Sequence, residues 1–251
     1  MWVNRPRQVQ GDRVEQGQAN IGNLLGMART AVEARNDDEA ISYFNRVLEI
    51  DPTVSEAWLG KGYAVARQSS LANVRMREMA VSFGHAIATT PKEAQPDTAR
   101  LAIAELTNIG LKISIQLLEH VAQFAGAPGM AERRSSVSLA ILDAMDVGMR
   151  WMPEFEPGLR LIVSAGNDAL AGALSPSQTA EVQAKIAEAR RTLRVLNPEA
   201  AAAEEAAEAD AAKVVQMRAE AVEQQRKVDG WAMSVGLGIA ALALLLWLVT
   251  R

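Results

Sequence analysis

The chain contains no cysteine, which excludes disulfides and thiolate metal sites. It has two histidines, His85 and His120, with no second histidine at ligand spacing and no HExxH pattern. Both read as structural or surface residues. No GxxxxGK[ST] stretch is present, so there is no loop of that kind to cradle phosphates. Basic charge is not concentrated either. The net charge of −4 argues against nucleic acid, which needs a dense cationic face. Aromatics make up 4% of the residues, and strands favour aromatic and β-branched side chains, so sheets are not expected. The start, MWVNRPRQVQGD, lacks the apolar core of a signal peptide.

The remaining polar clusters have plain explanations. Glu154 and Glu156 flank Phe155 in what reads as a solvated loop, and Ser135, Ser136 and Ser138 fit a helix start. Met145, Met149 and Met152 recur at helical spacing and belong in a core. The residues imply no enzyme, no cofactor and no metal.

What is abundant is alanine, with helical periodicity from Ile21 onward. The expected fold is all-α. Residues 1–20, rich in Gln, Arg, Asn and Gly, read as a disordered arm. A first helix reaches about Arg35, and Asn36-Asp37-Asp38 turns the chain into a second. Ala40, Phe44, Val47 and Leu48 share one face of that helix, and Asp51-Pro52 stops it. SEAWLGKGYAVARQ follows, with Trp58 one turn from Gly62, then AVSFGHAIATTP with Phe83, Ala86 and Pro91.

These residues over 21–91 resemble the tetratricopeptide repeat, a 34-residue helix–turn–helix unit. Its pattern sets a large residue at position 4, small ones at 8, 20 and 27, a ring at 24 and proline at 32. The first unit supplies Leu24, Ala28, Ala40, Phe44, Val47 and Pro52. The second supplies Trp58 and Gly62, but Phe83, Ala86 and Pro91 fall five residues late, placing an insertion near Gln68 to Arg75. The resemblance implies that small residues let helices approach while large ones, Trp58 among them, fill the gaps. It also implies a concave groove for a partner's peptide or helix, lined here by Leu25, Arg29, Val32, Glu33, Glu56, Leu59, Tyr63 and Arg67. Leu25, Leu59, Arg29 and Tyr63 stand where relatives that read chaperone tails carry a Lys/Asn clamp, so that ligand is not expected.

Residues 92–198 read as further helical hairpins packing on the first two, because two units alone leave an apolar face bare. Pro96-Asp97 opens a long helix whose apolar face carries Leu101, Ile103, Leu106, Ile109, Ile113 and Leu117, and this helix either fills the groove or leaves it open. Breaks fall at GAPG around Pro128, at PEFEPG and at Ser175-Pro176. Residues 199–230 are alanine-rich and charged, an exposed helix or a fluctuating linker.

Trp231 to Val249 runs nineteen residues without a charge. As a helix it spans roughly 28 Å, close to the roughly 30 Å hydrocarbon core of a bilayer. Trp231 and Trp247 sit near its ends, where indoles favour the interface. Ala232, Gly236 and Ala240, and likewise Ser234 and Gly238, are spaced for close pairing of two such helices, which allows a homo-oligomer. Only Thr250 and Arg251 follow. The expectation is a tail-anchored protein with its body in the cytosol, on a bacterial inner membrane to judge by the alanine-rich composition. It would act as a membrane scaffold or adaptor that binds another protein. The alternative is a structural accessory subunit of a larger membrane complex.

Overall fold

A computed structural model describes residues 6–124 and 126–203, together with 206–207, 209–210, 213, 216–217 and 220, with side chains from Gly17 onward. The stretch Trp231 to Val249, with Gly236, Gly238 and Ala240, lies outside the described residues. The described chain is all-α, with α1 Pro6–Glu33, α2 Asp37–Ile50, α3 Ser55–Gln68, α4 Met76–Thr89, α5 Gln95–Gln123, α6 Met130–Gly148, α7 Glu156–Leu170 and α8 Pro176–Leu196. These helices belong to a unit that ends at Leu196; a second unit begins at Asn197, and its described residues from Pro198 are helical.

Local chemistry sets the boundaries. At the end of α1, Arg35 takes the left-handed conformation, φ 58°, and Asn36 N–H donates to the Ala31 carbonyl at 2.9 Å. The Asn36 side chain then accepts from Glu39 N–H at 3.4 Å, capping the next helix start, and its amide donates to the Glu39 carboxylate at 2.7 Å. Asp37, Asp38 and Glu39 occupy the first turn of α2, where carboxylates suit the positive end of the helix dipole. Past α2, Asp51 accepts from the Thr53 amide and hydroxyl at 2.8 and 2.6 Å. Those hydrogen bonds hold its carboxyl below the usual range.

The inserted residues form the loop between α3 and α4. Ser70 and Asn73 exchange backbone hydrogen bonds at 3.1 Å, and buried Ser69 accepts from Arg75 N–H at 3.0 Å. The joint before α6 depends on Gly129, whose φ of 77° other residues rarely adopt. Between α7 and α8, Ala173 N–H donates to the Ala131 carbonyl at 3.2 Å, so the turn sits directly on the start of α6. A side chain on neighbouring Gly172 would strike Ser135 there.

Consecutive helices pack as hairpins, α1 with α2, α3 with α4, α5 with α6 and α7 with α8, while α2–α3, α4–α5 and α6–α7 join one hairpin to the next. One core cluster, with Leu24, Ala28, Ala40, Phe44, Val47, Ala57 and Ala64, seals α1 to α3. A larger one runs from Val65 and Phe83 through Ile103, Leu106, Ile113, Leu117 and Ile141 to Val182 and Leu193. At the positions that resemble a first repeat unit, Leu24, Ala28, Ala40, Phe44 and Val47 are buried. In the second, Gly62 receives the ring of Phe83, and Gly60 receives that of Phe44; a side chain at either glycine would collide with it.

Four expectations need correction. The helical chain reaches back to Pro6, so the arm expected over 1–20 is helical from residue 6. Gln, Arg and Glu are good helix formers, and extending an already anchored helix costs far less than starting one. Trp58 is half-buried rather than core, because Phe83 fills the gap at Gly62. Its indole instead donates to the Pro52 carbonyl at 2.8 Å and stacks on exposed His85 with ring centroids 4.4 Å apart. Leu101 faces solvent, whereas Ile103, Leu106, Ile109, Ile113 and Leu117 are buried. The three serines lie inside α6, which starts at Met130, and Ser135 bonds back to the Ala131 carbonyl at 3.0 Å.

Candidate functional surface

Of the eight groove candidates, α1 carries Leu25, Arg29, Val32 and Glu33, and α3 carries Glu56, Leu59, Tyr63 and Arg67. Their side chains divide by role. Leu25 is buried in the first core, and Val32 packs half-buried against it. Leu59 and Tyr63 are half-buried against the second core, with the Tyr63 ring edge-on to Phe83 at 5.3 Å. Arg29 and Glu56 remain exposed but bind each other across α1 and α3 at 2.6 Å, with side chains 60% and 48% exposed. Arg67, in the last turn of α3, reaches Asp37 in the first turn of α2 at 2.5 Å, and adjacent Gln68 donates to Asp38 at 2.7 Å. Both contacts place a donor against the acidic start of α2. Glu33 is exposed at the end of α1.

Tyr63 also shows where α5 runs. Burial, and then the nearby Glu105 carboxylate of α5, raise its phenol above the ordinary tyrosine value. The long helix packs against α3 as well as α4.

The apolar surface that the groove candidates lack is on α5. Leu101, Leu111, Ile115 and Leu118 are 56%, 42%, 57% and 46% exposed. Their spacing puts them on one stripe of the helix, with Asn108 also on it and exposed. Ile103, Leu106, Ile113 and Leu117 point the opposite way, into the core. So α5 is apolar on two faces, and only one is covered. Sequence reading missed this stripe because it placed Leu101 on the core face and stopped there. The signal was present in KISIQLLEH, where Ile115 and Leu118 are out of phase with Ile113 and Leu117.

Among the described residues, no cluster of three or more His, Asp or Glu side chains is arranged to hold a metal. Lys92–Gln123 is the one described helix long and apolar enough to cross a membrane, but half of its most apolar window is buried in the body, as befits a core helix.

Two open clefts lie away from the α5 stripe. One, of about 820 Å³, lies where the end of α4, the start of α5 and the loop after α6 meet. The other, of about 510 Å³, lies between α6, α7 and α8. In the second, Lys185 is clamped by Asp146 and approached by Glu181 at 3.4 Å. Burial alone would lower the lysine, but the two carboxylates outweigh it and raise it above its ordinary value. That pair is a structural tie between α8 and α6.

No family model matches the chain, and no curated protein matches it. Among solved structures it is similar to "MamA RS-1 ArsTM double mutant" at 16% identity, over 69% of this chain and 96% of that one, with a TM-score of 0.31. A likeness that low carries no functional argument, so the reading rests on the surfaces described above.

Proposed function

We propose that this chain is a helical scaffold that binds another protein through the outward stripe of α5 and is held at a membrane by residues 231–249. The observation that carries the binding role is the second apolar face of α5. One exposed leucine is ordinary on a protein surface. Four large aliphatic side chains on one stripe, over roughly 25 Å of helix, are not. Their spacing suits an amphipathic helix of the partner, which presents its own anchors every three to four residues. The body stays in the cytosol on this reading, and the charge-free stretch Trp231 to Val249 supports a bilayer-spanning anchor.

The accessory-subunit reading rests on the same stripe, covered permanently rather than on demand. Site-specific photocrosslinkers at Asn108 and Leu118, exposed on the same stripe, in native membranes test the binding role. A defined partner should crosslink, and Leu111→Glu/Ile115→Glu should abolish that product while the body stays folded. Unchanged crosslinking in the double variant would move the interface elsewhere. A body that is degraded whenever its partner is depleted would favour the subunit.

A further inference from the structure

We propose that the cleft between α4, α5 and the α6–α7 loop is a second binding site, one that takes an extended partner segment carrying an acidic side chain beside an apolar one. Its volume, about 820 Å³, is within the range of ligand sites, yet it is open to solvent. A small molecule there would stay half-wet, whereas an extended peptide would use the opening to enter and leave.

The floor is apolar, with Ile87 from α4, Ala99 from α5, and Trp151 and Met152 from the loop. Trp151 is half-buried and lies over Gly84, where an added Cβ would sit 3.6 Å from the ring. This leaves a fixed aromatic wall that costs little entropy to bind against.

The charge is specific. Arg100 and Arg150 both line the cleft and are exposed, and neither has an ion-pair partner among the described residues. The one acid in the lining is Glu154, so the cleft is short of one negative charge. Guanidinium groups bind carboxylates through paired hydrogen bonds, so a single acidic side chain would supply the missing charge, with its apolar neighbour against Trp151 and Met152. This site is separate from the α5 stripe and rests only on the general reading that the chain binds proteins.

The test uses the full chain in detergent micelles and a fluorescein-labelled probe, Ala-Leu-Glu-Leu-Ala, blocked at both ends and carrying a photoreactive leucine. Its anisotropy should saturate. A probe with Gln in place of Glu should bind at least tenfold more weakly, as should the wild-type probe to Arg100→Gln/Arg150→Gln. Both arginines are exposed, so that variant should melt like the parent. Crosslinks should map to residues 149–154. Equal binding of the Glu and Gln probes, equal binding by the arginine variant, or crosslinks confined to residues 108–118 of α5 would each overturn the proposal. The α5 reading is tested separately by Leu111→Glu/Ile115→Glu, which should leave this probe's binding intact.

Discussion

At the scale of single residues, what matters is which ring fills which gap. Phe83 is fully buried against Gly62, while Trp58 lies half outside with one hydrogen bond and one stacked histidine. Emptying a buried phenylalanine site costs roughly 3–5 kcal/mol. A surface stack and one net hydrogen bond are each worth about 0.5–1.5 kcal/mol. In urea titrations Phe83→Ala should therefore lose clearly more stability than Trp58→Ala, which should lose about 1–2 kcal/mol on these principles. The reverse order would mean that the rings have exchanged roles. The repeat pattern shows that a large ring and a hole lie near each other. It does not show which ring occupies the hole, since that depends on the approach of a helix some twenty residues away.

Tyr63 offers a pH test at the same scale. Burial and Glu105 both raise its phenol in the folded chain. A raised acid of this kind contributes stability that is fully present below the unfolded value, about 10, and is lost as pH climbs through the folded value. Ultraviolet titration of the folded protein should show tyrosine ionising above 10, and Glu105→Gln should bring Tyr63 part of the way back. Tyr43 should not follow it, because its upward shift comes from a hydrogen bond to Glu39. A Tyr63 titration unmoved by Glu105→Gln would mean that α5 does not flank α3 as described.

At the scale of elements, much was legible because boundary signals are local. The limits of α3, Ser55–Gln68, coincide with the segment SEAWLGKGYAVARQ read from sequence. Asn36 caps α2, Pro96 opens α5 and Pro176 opens α8, each as its chemistry suggests. The late arrival of Phe83 in the pattern places an insertion at the loop between α3 and α4. The candidate groove was less legible. Repeat positions identify side chains on one face of α1 and α3, but they do not reveal that Arg29 pairs with Glu56 or Arg67 with Asp37. An exposed pair of the Arg29–Glu56 kind contributes about 0–1 kcal/mol, so Arg29→Ala should barely shift the urea midpoint. The double face of α5 escaped because a helix with two apolar stripes looks, in sequence, like one broad stripe. Its variant Leu111→Glu/Ile115→Glu exchanges solvent-exposed side chains only and should leave the melting temperature within a few degrees of the parent. A large loss would show that the stripe is covered within the chain itself.

At the scale of the whole molecule, two chemistries are segregated along the chain. The body carries many charges and ties some of them into pairs, as in Arg134–Asp168 at 2.6 Å and the clamp of Lys185 by Asp146. Residues 231–249 carry no charge at all. Nineteen residues without a charge match the length that a bilayer-spanning helix needs. If a bilayer takes them up, deleting 231–251 should leave a folded body in the soluble fraction after cell breakage, with the same urea midpoint as the full chain in detergent. That body should still bind the acidic probe, because its cleft is built wholly from residues 87–154. Retention on membranes after the deletion would shift the attachment to the body. The exposed aliphatic stripe of α5 would then be the first place to look, since Leu101 and Ile115 are its most exposed side chains, and Leu111→Glu/Ile115→Glu in the truncated chain would decide between body attachment and aggregation. Release by the double variant would assign the contact to α5, and persistence in the pellet with loss of the cooperative melt would identify misfolded protein.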